Sequence, residues 1–160
     1  MIDRDRGLDA LNALVASSQT GFGAFVAVYL TSQAWTQADI GLALSVGTIA
    51  AMVSQLPAGA LVDAMRSKRL AIAIGGIAVA LSALLFAASS AWASVMAAKV
   101  LHGFASCMIG PAIAAVSLEL AGRRGLGLRL GRNARFASLG SAAAAVILGG
   151  IGTYVSGQAV

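Results

Sequence analysis

Five apolar runs, each about as long as a bilayer is thick, limit what this sequence can become. They cover residues 8–31, 40–62, 70–89, 92–120 and 134–155. A helix needs roughly 20 mostly apolar residues to cross the hydrocarbon. Inside it, every backbone N–H and C=O must find a partner within the segment. The runs are too long for strands and show no period-two alternation. The expectation is an all-α, polytopic membrane protein with about five transmembrane helices, residues 1–160 forming a single transmembrane helical domain. The fourth run is long enough to tilt, or to extend past the bilayer on one side.

Composition leads to the same place. Apolar residues make up 59% of the chain and charged residues 11%, with a mean hydropathy of +0.87. A soluble domain carries about 25% charged residues, so too little polar side chain is present to coat a water-facing surface. The formal charge of +5 does not signal nucleic acid, because the basic residues sit in the gaps between apolar runs. The lipid bilayer is the expected partner. One cysteine, Cys107, one histidine and six carboxylates leave no disulfide framework, and neither a metal site nor a cofactor is expected. The first run is longer than a signal-peptide core and ends in no small-x-small site, so it reads as a retained helix.

The connections alternate in charge. Arg4 and Arg6 precede the first run, Arg66, Lys68 and Arg69 follow the second, and Arg123, Arg124, Arg129 and Arg132 follow the fourth. Residues 32–39 and 90–91 hold no lysine or arginine. The positive-inside rule then puts the amino terminus in the cytoplasm, in a cell (plasma or inner) membrane, and residues near 160 outside.

Several runs carry polar or small stripes at helical spacing. The second shows Ser45, Thr48, Met52, Gln55 and Gly59, and the fourth Lys99, His102, Gly103, Ser106 and Gly110. The first shows Asn12, Gln19 and Gly23, and the fifth Ser138, Ser141, Ala145 and Gly149. The third is nearly uniform, with Ser82 at mid-span. Polar residues avoid lipid, so the stripes should face other helices or a wet cavity lined by runs one, two, four and five. Serine and glycine also serve plain close packing. Gln19 and Gln55 fit that explanation less well and are solute-binding candidates.

Lys99 is the most informative residue. It lies about 10 Å into the fourth run from its outer end, where a charge must snorkel, pair or face water. His102 is one turn deeper on the same face, so the two form a titratable cationic patch. Asp39, Asp63 and Glu119 fall at membrane boundaries. With no buried carboxylate expected in the runs, the counter-charge would be a ligand, an anionic lipid or a residue outside the sequence.

The second connection reads Gly59-Ala-Leu-Val-Asp63-Ala-Met-Arg66-Ser-Lys68-Arg69. It resembles the cytoplasmic signature of the major facilitator superfamily, G-x-x-x-D-x-x-G-R-[RK]. Gly59, Asp63 and Lys68 match, Arg66 replaces the second glycine, and Ser67 replaces an arginine. Lys99-Val-Leu-His102-Gly103 is similar to the R-x-x-Q-G of the family's fourth helix. The family's fifth-helix Gly-Pro motif is missing, and Gly110-Pro111 in the fourth run is expected to mark a kink.

The resemblance implies an incomplete six-helix bundle of the amino-terminal half, with a carboxyl-terminal half or partner helices to complete it. It further implies a gate motif at Gly59, Asp63, Arg66, Lys68 and Arg69, in which the glycine permits close helix approach. The implied function is secondary transport of a small solute, anionic or amphiphilic if it meets Lys99 and His102. A non-transporting membrane fragment or scaffold is the alternative. No nucleophile–base pair suggests an enzyme.

Overall fold

The computed structural model of the chain describes residues 2–156. The single domain expected over 1–160 reaches past this range, since residues 1 and 157–160 lie outside the described residues. In order come α1 (Ile2–Thr20), a π-helical turn (Gly21–Phe25), α2 (Val26–Ser32), α3 (Gln37–Ala64), α4 (Lys68–Ala88) and α5 (Trp92–Ser156). No strand occurs among the described residues. The fold is an all-α, membrane-type bundle.

Helix ends are set by local chemistry. Thr36 caps α3: its hydroxyl accepts from the Asp39 N–H at 3.2 Å and donates to the Asp39 carboxylate at 2.6 Å. Ser67 caps α4 by accepting from the Leu70 N–H at 3.3 Å. Each hydroxyl satisfies an amide that the first helical turn leaves without an internal partner.

The apolar stretch Trp92–Ile151 would be about 90 Å long as one straight helix. The hydrocarbon is only about 30 Å thick, and the backbone resolves the mismatch. Gly122 leaves helical geometry at φ 65° and ψ 174°, a left-handed φ that glycine adopts without steric cost. The break divides α5 into 92–121 and 123–156. Pro111 lies inside the helix, and the residue with non-helical backbone angles is Gly122. The fourth connection, read from sequence as a loop over 121–133, is helical on both sides of that glycine.

Among the described residues two compact units emerge, one of residues 2–28 with 123–156 and one of residues 29–122. In the first, α1 and the 123–156 part of α5 pack as a pair. Ser17 Oγ donates to the Gly140 carbonyl at 2.9 Å, and Ser141 Oγ to the Ala16 carbonyl at 3.4 Å. Asp9 meets Arg132 before them, and Gly21 faces Leu148 beyond them. Partner numbers rise together, so the two helices run parallel.

The second unit is built from α3, α4 and the 92–121 part of α5. Ala58, Val62, Ala71, Met108 and Ala112 form its buried core, with Phe104 and Cys107 against it. Small residues let the backbones close up. A Cβ built at Gly103 would lie 2.9 Å from the Gly47 carbonyl oxygen and 3.0 Å from the Ala51 nitrogen. Near the other end, Trp35 Nε1 donates to the Ser90 carbonyl at 3.2 Å, and the Tyr29 and Phe86 rings meet at 5.4 Å. Large apolar side chains such as Leu56, Ile77, Leu84 and Val146 are exposed. In water such a surface would drive association. It suits lipid.

Candidate functional site

Lys99 and His102 share one face of α5 in the second unit. The lysine is only 7% exposed, so it does not reach outward as a snorkelling side chain would. Its stem crosses α3 where that helix has no side chain. A Cβ built at Gly47 would lie 3.1 Å from Lys99 Cε and 3.7 Å from its Nζ. One turn on, half-buried His102 has its Nε2 3.3 Å from Ser106 Oγ. The structure thus places a buried lysine against Gly47 of α3, with an imidazole and a hydroxyl paired on the following turns of α5. Cys107 donates its thiol to the Ala51 carbonyl at 3.1 Å, tying the same helices.

Gln55 is exposed on α3, and Gln19 is exposed at the end of α1 in the other unit. The α3 stripe of Ser45, Thr48, Met52 and Gln55 is exposed throughout. Its hydroxyls are satisfied locally: Ser45 donates to the Gly41 carbonyl at 2.8 Å and Thr48 to the Leu44 carbonyl at 3.1 Å. Back-bonding of this kind lets hydroxyl residues sit on a helix face without a partner helix.

The Gly59–Arg69 segment forms the end of α3, a three-residue turn and the start of α4. Lys68 Nζ donates to the carbonyls of Val62 at 2.7 Å, Asp63 at 3.0 Å and Met65 at 3.0 Å. These carbonyls belong to the end of α3, where the last turn has acceptors to spare and a positive charge is favoured. Arg66 occupies the usual glycine position without strain, because among the described residues Ala34 is the one non-glycine residue with positive φ. Asp63, Arg66 and Arg69 are exposed. A Cβ at Gly59 would meet nothing within 4 Å, so no close helix approach occurs there among the described residues.

A further polar cluster lies in the first unit, and the sequence reading passed over it. Asp9 is buried, which corrects the expectation that the helices hold no buried carboxylate. Arg129 Nη2 donates to its Oδ1 at 2.7 Å, and Arg132 Nε to its Oδ2 at 2.9 Å. Arg129 also donates to Asp5 Oδ1 at 3.2 Å and to Asn133 Oδ1 at 3.0 Å. Arg132 lies over the Phe136 ring, 5.8 Å from its centroid. The signal was present as spacing. Asp5 and Asp9 stand four apart on α1, and Arg129, Arg132 and Asn133 stand three and four apart on α5, so each set shares a face. Among the described residues, no group of three or more histidine, cysteine or carboxylate side chains is arranged to hold a metal.

A family model described as Major Facilitator Superfamily matches residues 9–160. Two curated relatives from Mycobacterium tuberculosis, from strains CDC 1551 / Oshkosh and ATCC 25618 / H37Rv, are each named an uncharacterized MFS-type transporter. Each is 35% identical over 150 residues, a stretch that is 93% of this chain and 36% of the relative. The chain therefore spans about a third of the length of the curated relatives it matches.

Proposed function

The chain belongs to the Major Facilitator Superfamily and is a multi-pass membrane protein, and on that basis we propose that it serves secondary active transport of a small solute by alternating access. The single observation that carries the reading is Lys99, a buried cation on a membrane-spanning helix with His102 one turn away. Burying a charge in such a helix is costly, and the cost is tolerated chiefly where the charge has work to do. An ammonium beside an imidazole favours an anionic or amphiphilic solute. The names of both relatives, as MFS-type transporters, are in keeping with this.

The proposed setting is a cell membrane with the amino terminus in the cytoplasm, as the arginine and lysine distribution favours. Parallel packing of α1 with the 123–156 helix is consistent with an even number of crossings between their starts. Helices supplied by a carboxyl-terminal half, or by a partner, would complete the translocation path, since both relatives are much longer than the matched stretch.

The test is uptake of a panel of labelled organic anions into proteoliposomes holding the natural protein, compared with Lys99→Met. Loss of uptake in a variant that inserts normally supports the proposal. Wild-type uptake in Lys99→Met would keep transport and remove Lys99 from the solute path, whereas no uptake with any solute points to the scaffold reading.

A further inference from the structure

The parallel pair made by α1 and the 123–156 helix has two kinds of contact. Along most of its length the facing residues are small: Ala13, Ala16 and Ser17 on one side, Gly140, Ser141 and Ala144 on the other. Such surfaces pack closely, and apart from Gly140, where the Ala13 backbone takes the place of a Cβ, they carry little polarity that tells one register from the next. At the beginning of the pair the contact is of a different kind. Two carboxylates meet two guanidiniums, and both Arg129 and Asp9 are buried, with side chains 5% exposed. A slip of one turn there would leave buried charges without their partners, a much larger cost than sliding alanine past serine.

We infer that Asp9 is the register-setting residue of this helix pair, gripped from two directions by Arg129 and Arg132 so that α1 and the 123–156 helix align in one way. Buried polar groups that fix register where apolar contacts are degenerate have a precedent in coiled coils. The inference does not depend on what the protein transports. Asp5 and Asn133 add to the arrangement by accepting further hydrogen bonds from Arg129. The charges balance, two negative against two positive, so the cluster needs no outside ion.

Register can be read far from the cluster. A Cβ built at Gly21 lies 3.7 Å from Leu148 Cδ1, so Gly21→Cys with Leu148→Cys should cross-link on mild oxidation. The experiment uses membranes containing the natural protein with its native cysteines, Cys107 among them, replaced by serine. The wild-type cluster should confine cross-linking from position 21 to position 148, with little at cysteines placed instead at Ala144 or Ile151. In the Asp9→Asn, Arg129→Gln double variant, which leaves neither of those charges buried, cross-linking should spread to the one-turn neighbours. Asp9→Glu should keep the single product. Cross-linking confined to position 148 in the double variant would overturn the inference, as would equal cross-linking at all three positions in the unaltered protein.

Discussion

Lys68 closes the helix that ends before it, its ammonium lying 2.7 Å from the carbonyl oxygen of Val62. With the Asp63 and Met65 carbonyls also bound, one side chain does what a left-handed glycine does at many helix ends. The family signature places a glycine in this turn, and here the basic residue two positions later stabilises it.

Replacing Lys68 with methionine keeps its length and removes the three donors. The expected loss is about 1–2 kcal/mol, the range for charge-assisted bonds at a helix terminus. Arg69→Met, at an exposed neighbour, should change stability by no more than about 0.5 kcal/mol. Thermal unfolding of the detergent-solubilised protein distinguishes the two, and equal midpoints would remove Lys68 from its assigned role.

Gly140 faces backbone. An added Cβ would run into the Ala13 carbonyl group, and neither helix can yield there without opening the pair. Gly140→Ala should therefore cost about 3 kcal/mol or prevent accumulation in membranes. Gly149→Ala, on the same helix with nothing within 4 Å of a new Cβ, should accumulate normally. Quantifying both in membrane fractions decides the point.

A comparison of Gly47→Ala with Gly103→Ala tests which side of the α3–α5 contact can adapt. The first meets the flexible end of Lys99 at 3.1 Å, and the second meets the Gly47 carbonyl oxygen at 2.9 Å. A lysine stem can move by a few tenths of an ångström, so Gly47→Ala should cost under about 1 kcal/mol and Gly103→Ala about 1–3 kcal/mol. Melting midpoints in the reverse order would show that Lys99 is held more rigidly than the backbone beneath it.

Ala34 holds φ at 59° in the turn between α2 and α3, a conformation costing an L-residue roughly 1–2 kcal/mol. Glycine removes that cost but loses about 0.4–1 kcal/mol to unfolded-chain entropy. Ala34→Gly should thus be stabilising by about 0.5–1 kcal/mol, read as a raised unfolding midpoint. A lowered midpoint would mean the alanine methyl contributes packing that outweighs the strain.

Much of this architecture was legible in the apolar runs, because lipid permits few backbone solutions and helix is the one these lengths allow. The Lys99–His102 face was legible too, since two polar residues three apart in an apolar helix must share a side. What escaped was pairing. Asp5 and Asp9 lie among basic residues at the start of the chain, where counting charges for orientation hides which of them are buried. Arg129 and Arg132 looked like loop residues because the run of glycines and arginines over 122–133 resembles a connection. A single residue, Gly122, breaks the helix, and helix resumes at once. The exposed positions of Gln19 and Gln55 were likewise out of reach, since periodicity gives a face but not its neighbour.

The π-helical turn at Gly21–Phe25 changes how the first helix has to be drawn. Closing bonds five residues apart fits one extra residue into the turn, and each residue of a regular helix advances about 100°. Side chains after Phe25 are therefore out of phase, by about that angle, with those before Gly21. A seam traced through Asn12, Gln19 and Gly23 on an ideal wheel does not continue straight into Val26 and Leu30. Deleting one residue within the turn would bring the two stretches back into phase, and the buried face of the first would then point where the second now shows another set of side chains.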